Sequence, residues 1–410
     1  MMKYTGFSSA KILIPVNCDM QKWACIACDQ FTSEKAYWDK LAEFVGNADS
    51  TLKLTLPEIY LNDRADERIA EINGNINAYL KGGVFRELPS GYVLTVRSTP
   101  FVKRRVGIVA SVDLDAYDYK KGVKPLVRAT EGTIEERIPP RLKIRENAAI
   151  ELPHIMILYD DEKREIAENL FNRRAKFEKL YDFDLNMGGG HVEGWFVPES
   201  ENLRGKFAAL LDEKRLTDKY GVADAFAFAV GDGNHSLATA QAHWERIKSG
   251  LSEKERQTHP ARYALAEFVN VYDEGIYFEP IFRFVSGVNA ADFKKRLTAE
   301  VSGSYRVNIN GEISIINGDG ALASVISAID KFVADYIAKH GGSVDYIHGE
   351  SNLGQLVKGD KTSVGIMTDT LDKSQLFRYV SANGVFPRKT FSMGEGVEKR
   401  YYLEAKKIKI

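Results

Sequence analysis

Cysteine is scarce in this chain: Cys18, Cys25 and Cys28 are the three in 410 residues. An odd count in so long a chain speaks against a disulfide framework. Cys25 and Cys28 form a CxxC, but no second pair follows to complete a four-ligand zinc or iron–sulfur site, so the thiols are expected to be buried or free and no metal is expected on them. Charge of one sign is missing too. Lys and Arg number 56 against 57 Asp and Glu, a formal net charge of -1. That balance argues against nucleic acid or a membrane surface as partner. No apolar run approaches the ~18–20 residues of a membrane span. The opening stretch MMKYTGFSSAKILIPVNCDM lacks a continuous apolar signal core, so a cytoplasmic location is expected. Internal repeats and low-complexity linkers are absent from the sequence.

What is present is an ordinary globular composition, 44% hydrophobic and 28% charged, long enough for a large core and more than one subdomain. Strand and helix patterns mix without a strict βαβ repeat, which predicts an α+β (mixed α/β) fold. Tyr92–Ser98 and Arg105–Asp113 alternate as strands, His154–Tyr159 reads as a buried strand and Trp195–Val197 as a short one. Ser33–Val45, Glu67–Leu80, Lys163–Leu180 and Leu203–Leu211 read as helices. Leu376–Tyr379 reads as a strand or short element. A small-residue break at Ser286–Val288 suggests a larger part, 1–287, and a smaller α+β subdomain, 288–410, whose tail packs back on the first.

The densest chemistry lies in AFAFAVGDGNHSLATAQAHW, Ala225–Trp244. The run Ala225 to Val230 reads as a buried strand and Leu237–Ile247 as a helix. Between them stand Gly231, Asp232, Gly233, Asn234, His235 and Ser236. A strand that turns through glycines into a helix start is suited to anions. The first helical N–H groups have no partner within the helix, and the dipole favours negative charge there. The simpler alternative is a tight turn with Ser236 as N-cap and His235 on the surface. The loop lacks the lysine of a P-loop and the third glycine of a dinucleotide fingerprint.

Other segments carry candidate chemistry. Thr130, Glu131, Thr133, Arg137 and Arg141 lie in ATEGTIEERIPPR, where the arginine forks suit phosphate or carboxylate. The same charges could equally pair with Glu135 and Glu136. His191 and Glu193 follow three glycines and share one strand face, suited to a metal or to acid–base work, or to structural pairing. Asp160 and Asp161 either meet a ligand or cap the next helix. His154 reads as a core histidine and His243 as an exposed helix residue.

Asp232-Gly233-Asn234-His235 resembles the D-G-H/N-H-R box of the ParB–sulfiredoxin nucleotide-binding superfamily, with Ser236 in the arginine slot. More broadly, ACDQFTSEKAYW, ATEGTIEERIPPR, ELPHIMILYDD, GGGHVEGWFVP, GDGNHSLATAQAHW and FPRKTFSMGEGVEKRYYLE resemble, in order along nearly the whole chain, the bacterial and archaeal domain-of-unknown-function family ten-fifteen. The superfamily includes free serine kinases and nucleotide-binding DNA-partitioning proteins. By analogy the resemblance implies a nucleotide (ATP or ADP) and Mg²⁺ as cofactors, and a phosphotransferase acting on a small hydroxyl-bearing metabolite. Gly231, Gly233, Asn234, Ser236, Thr130, Thr133, Arg141, His191 and Glu193 are then expected to bind the cofactor. His235 and Arg137 would stabilise charge in transfer, and Asp232, Glu131 or Asp29 would position Mg²⁺ or take the hydroxyl proton. Two alternatives stand beside this reading. One is a metal-assisted hydrolase using His191, Glu193 and His235; the other is a non-enzymatic nucleotide-binding regulator. Oligomeric state is not legible. The loops at Cys28–Gln30, Thr130–Arg141, Gly190–Glu193 and Gly231–His235 are expected to converge on one cleft.

Overall fold

Alternating apolar residues dominate the centre of the sequence, and they build a sheet with a core on each face. The computed structural model describes residues 3–120, 122–221 and 226–410. Among these, eleven strands form one mixed sheet. Its path runs through Glu178–Leu185, Gly190–Pro198, Phe85–Ser98, Arg105–Asp113, Tyr263–Asn270, Met156–Tyr159, Phe228–Asp232, Val127–Ala129 and Tyr117–Asp118. Tyr92, Leu94 and Val96 face one core together with Val106, Ile108 and Ala110. Val93, Val109 and Leu265 face the other, with Trp23, Trp38, Ile72 and Ile76. Period-2 patterning thus divides each strand between two helical layers. Each large side chain so buried contributes on the order of 1.5–3 kcal/mol. The α+β class expected from the element order is what the structure has.

The chain forms two compact units. One comprises Met1–Ile276, Val380–Gly384 and Gly396–Ile410; the other comprises Tyr277–Tyr379 and Val385–Glu395. Within the second, Phe278–Ser286 pairs with Ser343–His348 and Val364–Met367. Helices Ala290–Glu300 and Leu322–His340 bury Phe293, Leu297, Ile329 and Val333 in a separate core.

Three local expectations are overturned. Lys163–Leu180 is not one helix: Ala167–Asn172 is helical, Arg174–Lys176 is a 3-10 turn, and a strand starts at Glu178. The period-2 set Tyr181, Phe183 and Leu185 wins there, because Tyr181 and Leu185 bury against the hairpin partner Gly190–Pro198. Leu376–Tyr379 lies in a helix, Gln375–Asn383. His243 is buried rather than exposed, and burial, with Arg145 and Lys409 nearby, pushes its imidazole down to about 4.

Candidate active site

The strand Phe228–Asp232 sits between Val127–Ala129, which runs parallel to it, and Met156–Tyr159, which runs antiparallel. A strand flanked on both sides reads as a continuous apolar run; Ala225, at the start of that run, lies outside the described residues. Its register shifts between Val230 and Asp232, the step where Gly231 stands. Gly233 follows with φ of 77°, and a Cβ there would lie 3.0 Å from the Ile155 Cα. Both conditions select glycine. The helix then starts at once, as Asn234–Lys248, three residues before the expected Leu237, and no side chain caps it. Ser236 is therefore inside the first turn and not its N-cap. The orphan N–H groups of that turn and the positive end of the dipole face the loops around it.

Around this turn stand three cation–carboxylate pairs. His154 Nε2 lies 3.5 Å from Asp29 Oδ2. Lys399 lies 3.3 Å from Asp232. Arg141 pairs with Glu58. His154 Nε2 is also 2.9 Å from the Ser236 hydroxyl, and its Nδ1 is 2.9 Å from the Tyr402 hydroxyl. Tyr402 donates to Cys28 Sγ at 3.1 Å and accepts the Cys28 N–H at 3.2 Å. With its own proton committed to sulfur, the Tyr402 oxygen must accept from His154, so Nδ1 carries a hydrogen.

These groups shift one another. Burial alone would raise Asp29, but the neighbouring imidazole, the Gln30 amide and Lys399 outweigh it and hold the carboxyl below its usual range. Burial opposes the charged His154, yet Asp29 and, more weakly, Asp232 raise it above the ordinary imidazole value. Burial and the adjacent Asp29 push the Cys28 thiol up to about 12, so it stays a thiol at neutral pH. The cluster therefore favours the charged form of His154 beside a helix N-terminus, which is chemistry suited to an oxyanion.

Beside this cluster is a cavity of about 160 Å³, lined also by Leu54, Ile72, Ile76 and Ile144. Asp29, Arg141, His154, Ser236 and Tyr402 are also on its wall.

Of the residues singled out in the sequence, Asp29, Arg141 and Ser236 meet at this wall. Asp232 joins through Lys399 and also accepts the Gly233 N–H at 2.9 Å. Thr130 donates to the Val230 carbonyl at 2.7 Å and ties its loop to the glycine loop. Asn234 Oδ1 is buried without a hydrogen-bond partner. His235 Nε2 accepts the Ile134 N–H at 3.2 Å, so this imidazole is a neutral strut between two loops. Glu131 is half-buried just past the strand Val127–Ala129, Thr133 stands beside the buried Tyr117, and Arg137 is exposed on a 3-10 turn. His191 and Glu193 are set apart. Their strand lies five places along the sheet from Phe228–Asp232. His191 bonds Asp184 and Asp182 at 2.7 and 2.9 Å, and Glu193 pairs with Lys179 at 2.9 Å. Among the described residues no group of three or more His, Cys, Asp or Glu is gathered to hold a metal, and no helix is long and apolar enough to cross a membrane.

His154, Tyr402, Lys399 and Glu58 are the residues that sequence reading missed. His154 opens an apolar segment and so resembles a core residue. Tyr402 and Lys399 lie far along the chain, inside the family-like tail, which was the one available signal.

A family model described as "Protein of unknown function (DUF1015)" matches residues 14–384. No curated protein matches the chain significantly. Solved structures with similarity include a conserved hypothetical protein from Pyrococcus furiosus, 10% identical, with 72% of this chain and 90% of that one aligned at a TM-score of 0.34. A free serine kinase in complex with AMP is 8% identical, with 74% and 91% aligned at 0.38. SbnI from Staphylococcus aureus, truncated at its C-terminus, is 10% identical, with 70% and 82% aligned at 0.37.

Proposed function

Since the chain belongs to the DUF1015 family, whose description names no activity, we propose from its own site that it is a nucleotide-dependent phosphotransferase acting on a small hydroxyl-bearing metabolite. The observation that carries this is the uncapped helix start after Gly233, ringed by His154, Arg141 and Lys399, each held by a carboxylate. The resemblance of Asp232–His235 to the ParB–sulfiredoxin box supports the same reading. Phosphoryl transfer asks little covalent chemistry of a protein and much positioning and positive charge.

In this reading the first-turn N–H groups and the imidazolium of His154 hold phosphate oxygens. Arg141 and Lys399 turn from their carboxylates toward the ligand. The role expected of His235 passes to His154, because the His235 Nε2 lone pair is already used. The substrate hydroxyl oxygen would bond to the terminal phosphorus as the bond from that phosphorus to the bridging oxygen breaks, and the bridging oxygen would leave, with the electron pair, on the nucleotide shortened by one phosphate. The hydroxyl proton passes to a carboxylate, Asp29, Asp232 or Glu131. Mg²⁺ would enter with the phosphates, since the protein alone gathers too few ligands among the described residues.

The test is calorimetric titration with ATP and ADP, with and without Mg²⁺, followed by phosphorus NMR of product formation over a panel of hydroxyl-bearing metabolites. Binding and a new phosphate ester are expected. Binding without transfer to any hydroxyl would favour the regulatory-module reading, and no binding would end both.

A further inference from the structure

The cavity beside the site has a lining of two kinds: the charged cluster of Asp29, His154 and Ser236, and the aliphatic side chains of Leu54, Ile72, Ile76 and Ile144. Thr239, one turn along the helix from Ser236, is on the same wall, so the cavity begins at the helix start and runs alongside the helix. A ligand that fills it has an anionic head at the helix terminus and a largely apolar body beyond. At about 160 Å³ the space is far above the roughly 10–15 Å³ that one water needs.

The inner wall also carries Arg145 and Glu151, paired at 2.6 Å. Glu151 is saturated, since its other oxygen accepts the Leu265 N–H at 2.8 Å. Arg145 shares this charge pair on the cavity lining. An alkyl chain would seal a charged pair against hydrocarbon, which is costly. A planar heteroaromatic ring offers an apolar face to the aliphatic walls and a polar edge to the pair.

We propose that this cavity is the base subsite of the nucleotide, with the heterocycle between Ile72, Ile76 and Ile144, its polar edge toward the Arg145–Glu151 pair, and the phosphates at the start of the helix Asn234–Lys248. This rests on the phosphotransferase reading. It adds that nucleotide is told from bare polyphosphate by an apolar slot, and that the substrate hydroxyl approaches from the glycine-loop side.

The test compares ATP and GTP with inorganic tripolyphosphate. Ile144 is half-buried, so Ile144→Trp fills the cavity at small cost to folding; Leu61→Phe is the second filler. In either variant the tighter nucleoside triphosphate should weaken at least tenfold, towards the affinity of tripolyphosphate, whose own binding should not change. Unchanged nucleotide affinity in a folded variant would overturn the proposal. If neither nucleotide nor tripolyphosphate binds the unaltered protein, it is the phosphotransferase reading that has failed. A measurement needing no variant is methyl NMR of isoleucine-labelled protein titrated with adenosine and with guanosine. Shifts confined to Ile72, Ile76, Ile144, Ile150 and Ile155 are expected; shifts elsewhere with these methyls still would place the base outside the cavity.

Discussion

At His154 two opposed effects meet: burial disfavours its charged form, and Asp29 at 3.5 Å favours it. Asp29, held low, adds stability above about pH 3.9 that is lost as pH falls through its lowered value. His154, held high, adds stability that is full below about pH 6.5 and is lost as pH rises through its raised value. Both contributions coexist between about pH 4 and 6.5. In the proposed function a ligand anion meets the charged His154, so nucleotide affinity should fall as pH rises through the raised value of that imidazole. His154→Gln should bind about tenfold more weakly, ~1.4 kcal/mol, and should lose that pH slope. Calorimetry in buffers from slightly acid to alkaline reads both; an unchanged slope would remove His154 from the anion site. Asp29, Arg141 and Ser236 were legible as chemistry because they sit in polar, turn-like stretches. His154 was not, since an apolar neighbourhood in sequence describes a core histidine and an active one equally well.

Among the elements, the glycine turn carries the clearest local constraint. Its φ of 77° and the 3.0 Å that would separate a Cβ from the Ile155 Cα both strain any side chain placed there. Gly233→Ala should cost about 1–2 kcal/mol in urea unfolding, and Gly233→Asn less, because asparagine visits the left-handed region. Equal stability of the two would show that the turn is not left-handed. The strand and helix around this turn were readable from their periods, because a fully flanked strand and an amphipathic helix are the strongest patterns a chain can write. Glu178–Leu185 was not, since helical spacing before it ran on into a period-2 segment whose pairing partner follows only after the turn at 186–189. The helix start was also misplaced: glycine as N-cap carries no side-chain signal, and Ser236 looked like one.

Over the whole first unit, the segment Gly396–Ile410 is what closes the fold. Arg400 is 3% exposed and bonds Glu267, Glu404 and the Pro153 carbonyl, next to His154. Arg97 donates to the carbonyls of Val397, Glu398 and Lys399, and Trp23 to that of Leu403. Arg400→Met takes the nearest cation from two buried carboxylates, leaving Glu267 with Arg105 at 3.9 Å, and should cost about 3–5 kcal/mol, seen as a lower urea midpoint. A loss within experimental scatter would show the network to be dispensable. None of this long-range pairing was visible in sequence, where Lys399, Arg400 and Glu404 resemble a solvated charge run. The same segment delivers Lys399 and Tyr402 to a site whose other parts begin at Cys28, 374 residues earlier. Contacts so distant along the chain form late. On the ribosome, the nascent protein therefore has its glycine loop, its cavity walls and its imidazole long before it has a finished cluster, and it completes the surroundings of His154 only once residue 402 has emerged.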